Sequence, residues 1–586
     1  MFRILNEEVS AIDLLRKKKT LKRRLLQDKQ MSLQKRILIL SGSTIGEIAS
    51  FFEIFCLEQG IEIEIIQGEY NRFFEDAVYG NEDFENLKPD FIYVHVSNRN
   101  LSMWPLPYEA EDSIKEKVEK EFKRIETVIS TLQKKYVCPI IYNNFEELSY
   151  RIMGNKDVWE VSGRHRFISC INECLYDYAR KQEGVYIQDI AYLASHFGLT
   201  RWNDPIFWYR YKYALSLEAM PYLARNLANI VKSLCGLNKK CIALDLDNTL
   251  WGGIIGDAGL SGINISKENA SGEAYYEFQE YLKLVKETGV LLGVVSKNEE
   301  DVALSAFDNL NMPLQKEDFS EFIANWEPKS LNLKNMAENM NLGIDFFIFV
   351  DDNPVECDEV ATNTQNVETL LMNDIENYIS KLDSQGYFEN TIGTDEDKQR
   401  TQYYRRNKQQ KQEASTYQDY EEYLKSLDMQ WEFHDFEEAA ISRITQLLNK
   451  TNQFNLTTLR LSQNQIVEMT HSKNHLCIQG RMKDKFGDNG LVTLVIGEIL
   501  TDTLHIDIWL MSCRVFRRNG EYLLFQYLKK RAIELGLKFI KGKFIPSKKN
   551  KIVANFYESL HFQLKEKKSD GSTIWQYNLE ETEHIL

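Results

Sequence analysis

Residues 241–253 read CIALDLDNTLWGG. Cys241–Leu246 (CIALDL) is a short run with the apolar character of a buried strand, and it ends at Asp245-Leu246-Asp247-Asn248-Thr249. Two carboxylates two residues apart, at a strand end where the chain turns, can face one pocket. The pattern recurs twice. Val290–Val295 (VLLGVV) leads into Ser296-Lys297-Asn298, and Phe346–Val350 (FFIFV) leads into Asp351-Asp352-Asn353. In open parallel sheets ligands sit outside the carboxyl ends of strands, so these three ends are expected to converge.

The residue types suit phosphoryl transfer. One carboxylate of the Asp245/Asp247 pair would attack phosphorus, and the other would donate and then recover the leaving-group proton. Anions meeting an anionic substrate require a cation, and Mg²⁺ is the hard ion that carboxylates and phosphate oxygens prefer. Ser296 offers a hydroxyl to a phosphate oxygen, with Asn298 beside it. Trp326-Glu327-Pro328-Lys329 supplies a lysine suited to phosphate, and Asp351-Asp352 a second carboxylate pair suited to the metal. Each has a plain alternative: a capping turn, a helix cap, a surface lysine. Their order after three apolar strands favours one site. Only 48 residues separate Asp247 from Ser296, and 32 separate Ser296 from Lys329. Neither gap has room for a large cap domain, so an open site is expected.

Working outward, a strand at Arg36–Leu40 (RILIL) and others at Ile61–Ile66, Phe91–Val96 and Ile140–Tyr142 alternate with amphipathic stretches, as in a parallel α/β sheet. A long helix around Leu217–Leu234 closes that unit. Beyond Gln430, strand-like runs at Leu491–Ile496, Leu504–Met511 and Phe539–Phe544 flank a helix from Glu521 to Leu535. The predicted fold class is therefore α/β and multidomain. The boundaries are a charged helical extension over 1–35, an α/β domain over 36–236, the phosphotransfer domain over 237–394, a helical linker over 395–429, and a last domain over 430–586.

The 586-residue chain is 43% hydrophobic and 27% charged. No apolar run approaches the roughly 18 residues needed to cross a bilayer, and the start lacks the pattern of a secretory signal. Nine cysteines without a CxxC pair read as reduced thiols of a cytoplasmic protein. A net charge of −16 argues against nucleic-acid binding. The charge is uneven, however. Residues 511–551 hold twelve Lys or Arg against two Glu, an excess of +10, and Arg16–Arg24 (RKKKTLKRR) is a second basic run; the larger suggests an acidic partner. Cys513, beside Arg514, Arg517 and Arg518, is a candidate thiolate that would hold an acyl group transiently, with buried packing as the alternative.

The four central motifs resemble those of the haloacid dehalogenase (HAD) superfamily. That resemblance implies Asp245 as nucleophile and Asp247 as acid/base, with the backbone carbonyl of Asp247 also meeting Mg²⁺. It further implies Ser296 and Lys329 at the phosphate and Asp351 or Asp352 at the metal. Leu244–Ile263 (LDLDNTLWGGIIGDAGLSGI), Ser296-Lys297-Asn298, Asn325–Ser330 (NWEPKS) and Val350–Pro354 (VDDNP) are similar, more narrowly, to the FkbH-like family, subfamily IIIC of these phosphatases. Asn449–Thr458, Asp484–Leu491 and Ser512–Val515 resemble its third domain, which is similar to GNAT acetyltransferases. Residues 36–235 resemble its amino-terminal domain, similar to SGNH hydrolases. The chain departs from the family after Pro354, where Val355-Glu356-Cys357-Asp358 stands in place of the usual Glu-Arg.

Membership implies an enzyme that removes phosphate from 1,3-bisphosphoglycerate and places the glyceryl group on the phosphopantetheine thiol of an acyl carrier protein. The alternatives are a capless phosphatase acting on another phosphate ester, and a non-catalytic docking scaffold for carrier proteins. Ser43 holds the position of the SGNH nucleophile, but Gly42 precedes it and no Asp-x-x-His follows near Asp204, so a binding or scaffold domain is expected there. The candidate pyrophosphate loop Arg517–Glu521 has one glycine, which makes coenzyme A binding doubtful. A tyrosine on the late helix, Tyr557, matches the acid of the GNAT fold.

Overall fold

The computed structural model describes residues 11–27, 33–364, 366–391, 420–451, 454–461, 463–485, 487–512, 515, 518–547 and 550–580. Two compact units divide the chain at Leu234/Cys235, residues 463–465 grouping with the first. No helix among the described residues is long and apolar enough to cross a membrane.

The first unit is built on five parallel strands: β1 (Leu33–Ser41), β2 (Ile61–Gln67), β3 (Phe91–His95), β4 (Ile140–Asn143) and β5 (Val185–Gln188). They lie in the order β2-β1-β3-β4-β5. Leu38, Leu40, Ile92, Val94, Ile140 and Tyr142 alternate onto one face, packing with Ile125, Ile129 and Phe167. The helix expected in the amino-terminal extension is Ala11–Gln27, and it is no loose appendage. Leu25 packs on Ile54 and Leu57 of the helix Gly46–Glu58, and Lys22 pairs with Glu53 at 2.6 Å. β1 begins at Leu33, three residues before the expected start.

The second unit holds two sheets. The first has β6 (Cys241–Leu244), β7 (Leu291–Ser296), β8 (Glu321–Ala324), β9 (Phe347–Asp351) and β10 (Glu368–Leu371), all parallel, in the order β10-β9-β6-β7-β8. The inner strands β6, β7 and β9 are buried on both faces, which explains their unbroken apolar runs, whereas the edge strands β8 and β10 are partly exposed. Ile242, Leu244, Leu292, Val294, Ile348 and Val350 face one side with Phe278 and Leu282 of the helix Ala270–Glu287. Cys241, Ala243, Leu291, Val295, Phe347 and Phe349 face the other with Leu333 and Met336 of the helix Lys329–Asn339.

The second sheet has seven strands: β11 (Gln430–Asp435), β12 (His475–Asp484), β13 (Gly487–Leu500), β14 (Thr503–Met511), β15 (Phe539–Phe544), β16 (Gln563–Lys567) and β17 (Thr573–Asn578). They are ordered β11-β12-β13-β14-β15-β17-β16, antiparallel except for β14 and β15. The helix Gly520–Glu534 buries Leu524, Phe525 and Leu528 against this sheet. The fold class is mixed α/β, with parallel sheets in the first two sections and a mostly antiparallel α+β layout in the last. Of the linker expected over 395–429, residues 395–419 lie outside the described residues, and Tyr420–Ser426 is helical.

Candidate active site

In the order β10-β9-β6-β7-β8 the direction of winding reverses between β9 and β6, and ligands bind at such a point. The last register pair there is Leu244–Val350. Asp245 and Asp351 come one residue later, and the Asp245 N–H donates to the Val350 carbonyl at 3.0 Å. By the two-residue alternation of a strand, Asp245 continues the row Cys241–Ala243 and Asp351 the row Phe347–Phe349. Both rows face the helix that opens at Lys329.

The Lys329 ammonium stands between the two carboxylates, 3.0 Å from Asp245 Oδ1 and 2.6 Å from Asp351 Oδ2. All three residues are buried, Lys329 being 3% exposed and Asp351 0%. Burial lowers the lysine's proton affinity, but the charges of Asp245 and Asp351 outweigh it and the net shift is upward. Burial, then the charge of Asp245, pushes the Asp351 carboxyl up to about 7, with Lys329 opposing. Burial and Asp245 raise Asp352 as well.

Carboxylate oxygens of Asp245, Asp351 and Asp352 all lie within 4.8 Å of one another. One lysine cannot balance this charge, and among the described residues Asp245 Oδ1 meets Lys329 as an ion pair but lacks a well-directed hydrogen bond. A buried, oxygen-only donor set with excess negative charge fits a hard divalent cation. Both Asp351 and Asp352 belong to the cluster, the pair between which the sequence did not choose.

The Asp247 carboxylate is absent from that cluster. Its Oδ1 accepts from Trp251 Nε1 (2.9 Å) and the Ile255 N–H (3.1 Å), and its Oδ2 from Asn298 Nδ2 (3.0 Å). The turn that allows this passes through Asn248, whose φ of 53° is left-handed, a conformation asparagine tolerates. The Asn248 carbonyl accepts from the hydroxyls of Tyr275 (3.2 Å) and Tyr378 (2.9 Å), and its Oδ1 accepts from the Gly253 N–H (2.9 Å). Gly253 has φ +96°, and a Cβ there would lie 2.4 Å from the Gly262 carbonyl oxygen. Gly252 and Asn264 exchange backbone hydrogen bonds of 3.0 and 2.8 Å, closing residues 252–264 into a small flap. The rest of the segment before Ser296 is core helix and strand, so that segment carries no cap domain.

Ser296 ends β7, buried, with its Oγ accepting from Asn298 Nδ2 at 3.1 Å. Asn298, expected at the phosphate, thus bridges Ser296 and Asp247. Trp326, three residues before Lys329 and 68% exposed, donates to Glu299 at 2.7 Å. Sequence reasoning missed Trp251, whose contact with Asp247 is visible only once the turn is folded.

The flanking candidates fare differently. Cys513, with Arg514 and Arg517, lies outside the described residues. Arg518 pairs with Asp484 at 2.9 Å. Trp431 packs against Gly520 at the start of the helix Gly520–Glu534, so close that a Cβ on Gly520 would lie 2.1 Å from the indole. Tyr557 is wholly buried against Gly542, a core position. In the first unit Ser43 is 1% exposed, and its Oγ has no hydrogen-bond partner among the described residues. Asp204 caps the helix Pro205–Tyr211, accepting from Ile206 N at 2.8 Å. Among the described residues no histidine hydrogen-bonds to the Ser43 hydroxyl.

Sheet order, an aspartate pair after the first strand, and a lysine and two further aspartates at the same edge define the central section as a HAD-like domain. Residues 36–232 match the family model described as FkbH, N-terminal domain. The N-terminal part of protein BF1531 from Bacteroides fragilis, which contains a phosphatase domain and was crystallised with Mg, is 26% identical. The match covers 63% of this chain and 98% of that one, with a TM-score of 0.58. Two acetyltransferases also resemble the chain. The ribosomal-protein-S18-alanine N-acetyltransferase of Escherichia coli is 13% identical over 27% of this chain and 99% of its own, at TM-score 0.21. The PaiA N-acetyltransferase of Thermoplasma acidophilum, in complex with coenzyme A, is 11% identical over 25% and 99%, also at 0.21. No curated protein matches the sequence.

Proposed function

We propose that the chain is a Mg²⁺-dependent phosphatase or phosphotransferase working at Asp245. The observation that carries this reading is Lys329 set between Asp245 and Asp351, with Asp352 completing a three-carboxylate cluster. Asp245, Asp351 and Asp352, with the backbone carbonyl of Asp247, would hold the metal. When bound, Mg²⁺ neutralises the carboxylates and polarises the phosphoryl oxygens. Asp245 attacks phosphorus and becomes an aspartyl phosphate. Asp247 gives its proton to the departing oxygen, then takes one from the water that frees Asp245. Ser296 and Lys329 hold phosphoryl oxygens.

At the finer level, the substrate is 1,3-bisphosphoglycerate and the acceptor an acyl carrier protein. The phosphopantetheine sulfur bonds to the acyl carbon as the acyl-phosphate bond breaks, and the remaining phosphate ester is the one hydrolysed at Asp245. Support comes from the FkbH resemblance, from the lack of a cap insertion between Asp247 and Ser296, and from the basic excess in residues 511–551, which suits an acidic carrier. The domain division given above belongs to this reading, as does a transient acyl-holding role for Cys513. The test is to incubate the protein with Mg²⁺, 1,3-bisphosphoglycerate and a phosphopantetheinylated carrier, then weigh the carrier. A glyceryl adduct is expected. Phosphate release with an unmodified carrier leaves a phosphatase without the transfer, and loss of neither activity in Asp245→Asn would overturn the phosphotransfer reading.

A further inference from the structure

We infer that Trp251 and Asn298 are positioning residues for Asp247, fixing Oδ2 as the oxygen that gives and takes the proton. The inference rests on phosphotransfer at Asp245. A carboxylate oxygen has two in-plane lone pairs. Both on Oδ1 are engaged, by Trp251 Nε1 at 2.9 Å and by the Ile255 N–H at 3.1 Å. Neither donor can withdraw. The Trp251 indole is 0% exposed, edge-on to Phe307 at 5.7 Å, inside the core formed with Leu250, Ile255 and Phe278. The Ile255 donor belongs to the peptide backbone of the flap. A proton on Oδ1 would face two N–H groups, so it belongs on Oδ2.

Oδ2 meets a partner of another kind. Asn298 Nδ2 lies 3.0 Å from it and 3.1 Å from Ser296 Oγ, and Asn298 is 3% exposed. A primary amide offers a donor at one end and an acceptor at the other. Turned one way it donates to the ionised carboxylate; turned over it accepts from the protonated acid. Asn298 can therefore serve both protonation states of Asp247, whereas the Trp251 side serves one. In the forward step the proton leaves Oδ2 for the ester oxygen as the phosphorus–oxygen bond breaks and the bond from Asp245 to phosphorus forms. In the return step water attacks phosphorus as the bond from phosphorus to Asp245 breaks, freeing that carboxylate, and the water's proton returns to Oδ2.

The competing account is that a buried indole N–H merely needs an acceptor. The two accounts differ in how rate depends on the leaving group. An alkoxide needs a proton to depart, whereas p-nitrophenolate leaves without one. The full chain with Mg²⁺ is assayed on β-glycerol phosphate and on p-nitrophenyl phosphate, reading the first-turnover burst for the latter. Trp251 is replaced by 3-benzothienylalanine, which keeps the shape and lacks the N–H; Asn298→Ala is the second variant. Each is expected to lower kcat on β-glycerol phosphate by about 10- to 100-fold, a part of the roughly 10²–10⁴ that a general acid supplies. KM and the p-nitrophenolate burst should stay within about threefold. An equal loss on both substrates, or no loss on either, overturns the inference. A p-nitrophenolate burst that survives Asp245→Asn instead removes the phosphotransfer reading beneath it.

Discussion

Asp245 and Asp351 end adjacent parallel strands one residue beyond the Leu244–Val350 register pair, and Lys329 bridges them at 3.0 and 2.6 Å. Strand alternation turns both carboxylates to the face that carries the lysine. Two buried acids, a third half-buried one and a single base are left to be balanced from outside the chain.

Removing the base should expose that imbalance. Lys329→Met leaves buried carboxylates unpaired, and breaking a buried ion pair in this way costs about 3–5 kcal/mol. The expected result is a lower melting temperature without Mg²⁺ and partial recovery when Mg²⁺ is added. Calorimetry with and without the ion checks this.

Metal binding should stabilise the native protein by linkage. At a Mg²⁺ concentration 100 times Kd the gain is about 2.7 kcal/mol. Asp351→Asn and Asp352→Asn should each shrink the Mg²⁺-dependent rise in melting temperature. A rise of wild-type size in both variants would place the metal elsewhere.

Asp247→Asn keeps an oxygen to accept from Trp251 and Ile255, meets Asn298 as a donor once that amide turns over, and removes the transferable proton. Phosphate release from an alkyl ester should fall by roughly 10²- to 10⁴-fold, with circular dichroism and melting temperature little changed. Steady-state kinetics on β-glycerol phosphate measures it.

Glu146, in the first unit, is 1% exposed and accepts from the Asn98 N–H at 3.1 Å; burial pushes its carboxyl up to about 8. The folded state therefore holds a proton that the unfolded chain releases near pH 4.5, so stability falls as pH rises between those values and levels off above about 8. His95 adds the opposite slope at lower pH. Burial lowers it to about 4, the unfolded chain binds its proton below about 6.5, and stability rises with pH across that window. Glu146→Gln should flatten the fall between pH 6 and 8, as read by amide exchange in β4.

Much of the central site was legible in the sequence because apolar strands that end in polar residues carry both signals locally. Asp245, Ser296 and Asp351 each stand at such an end, and the structure brings them to one edge. Short strands of mixed polarity were not legible. β5 (VYIQ), β8 (EFIA) and β10 (ETLL) are four residues each, and only pairing with a formed neighbour makes them strands. β11, β12, β16 and β17 escaped for similar reasons. The amino-terminal helix looked like an appendage because a charged helix does not announce where its one apolar stripe will pack.

By itself the sequence determined which residue types stand where strands stop, and hence the kind of chemistry the edge can support. The tertiary structure decided which groups face one another. It set Lys329 between two carboxylates, kept the Asp247 carboxylate out of the metal cluster, and turned Trp251 and Asn298 onto its two oxygens. The reason is physical. Strand ends are specified by local polarity, whereas hydrogen-bond partners across a sheet edge depend on register and on a left-handed turn that exist only after the chain has folded.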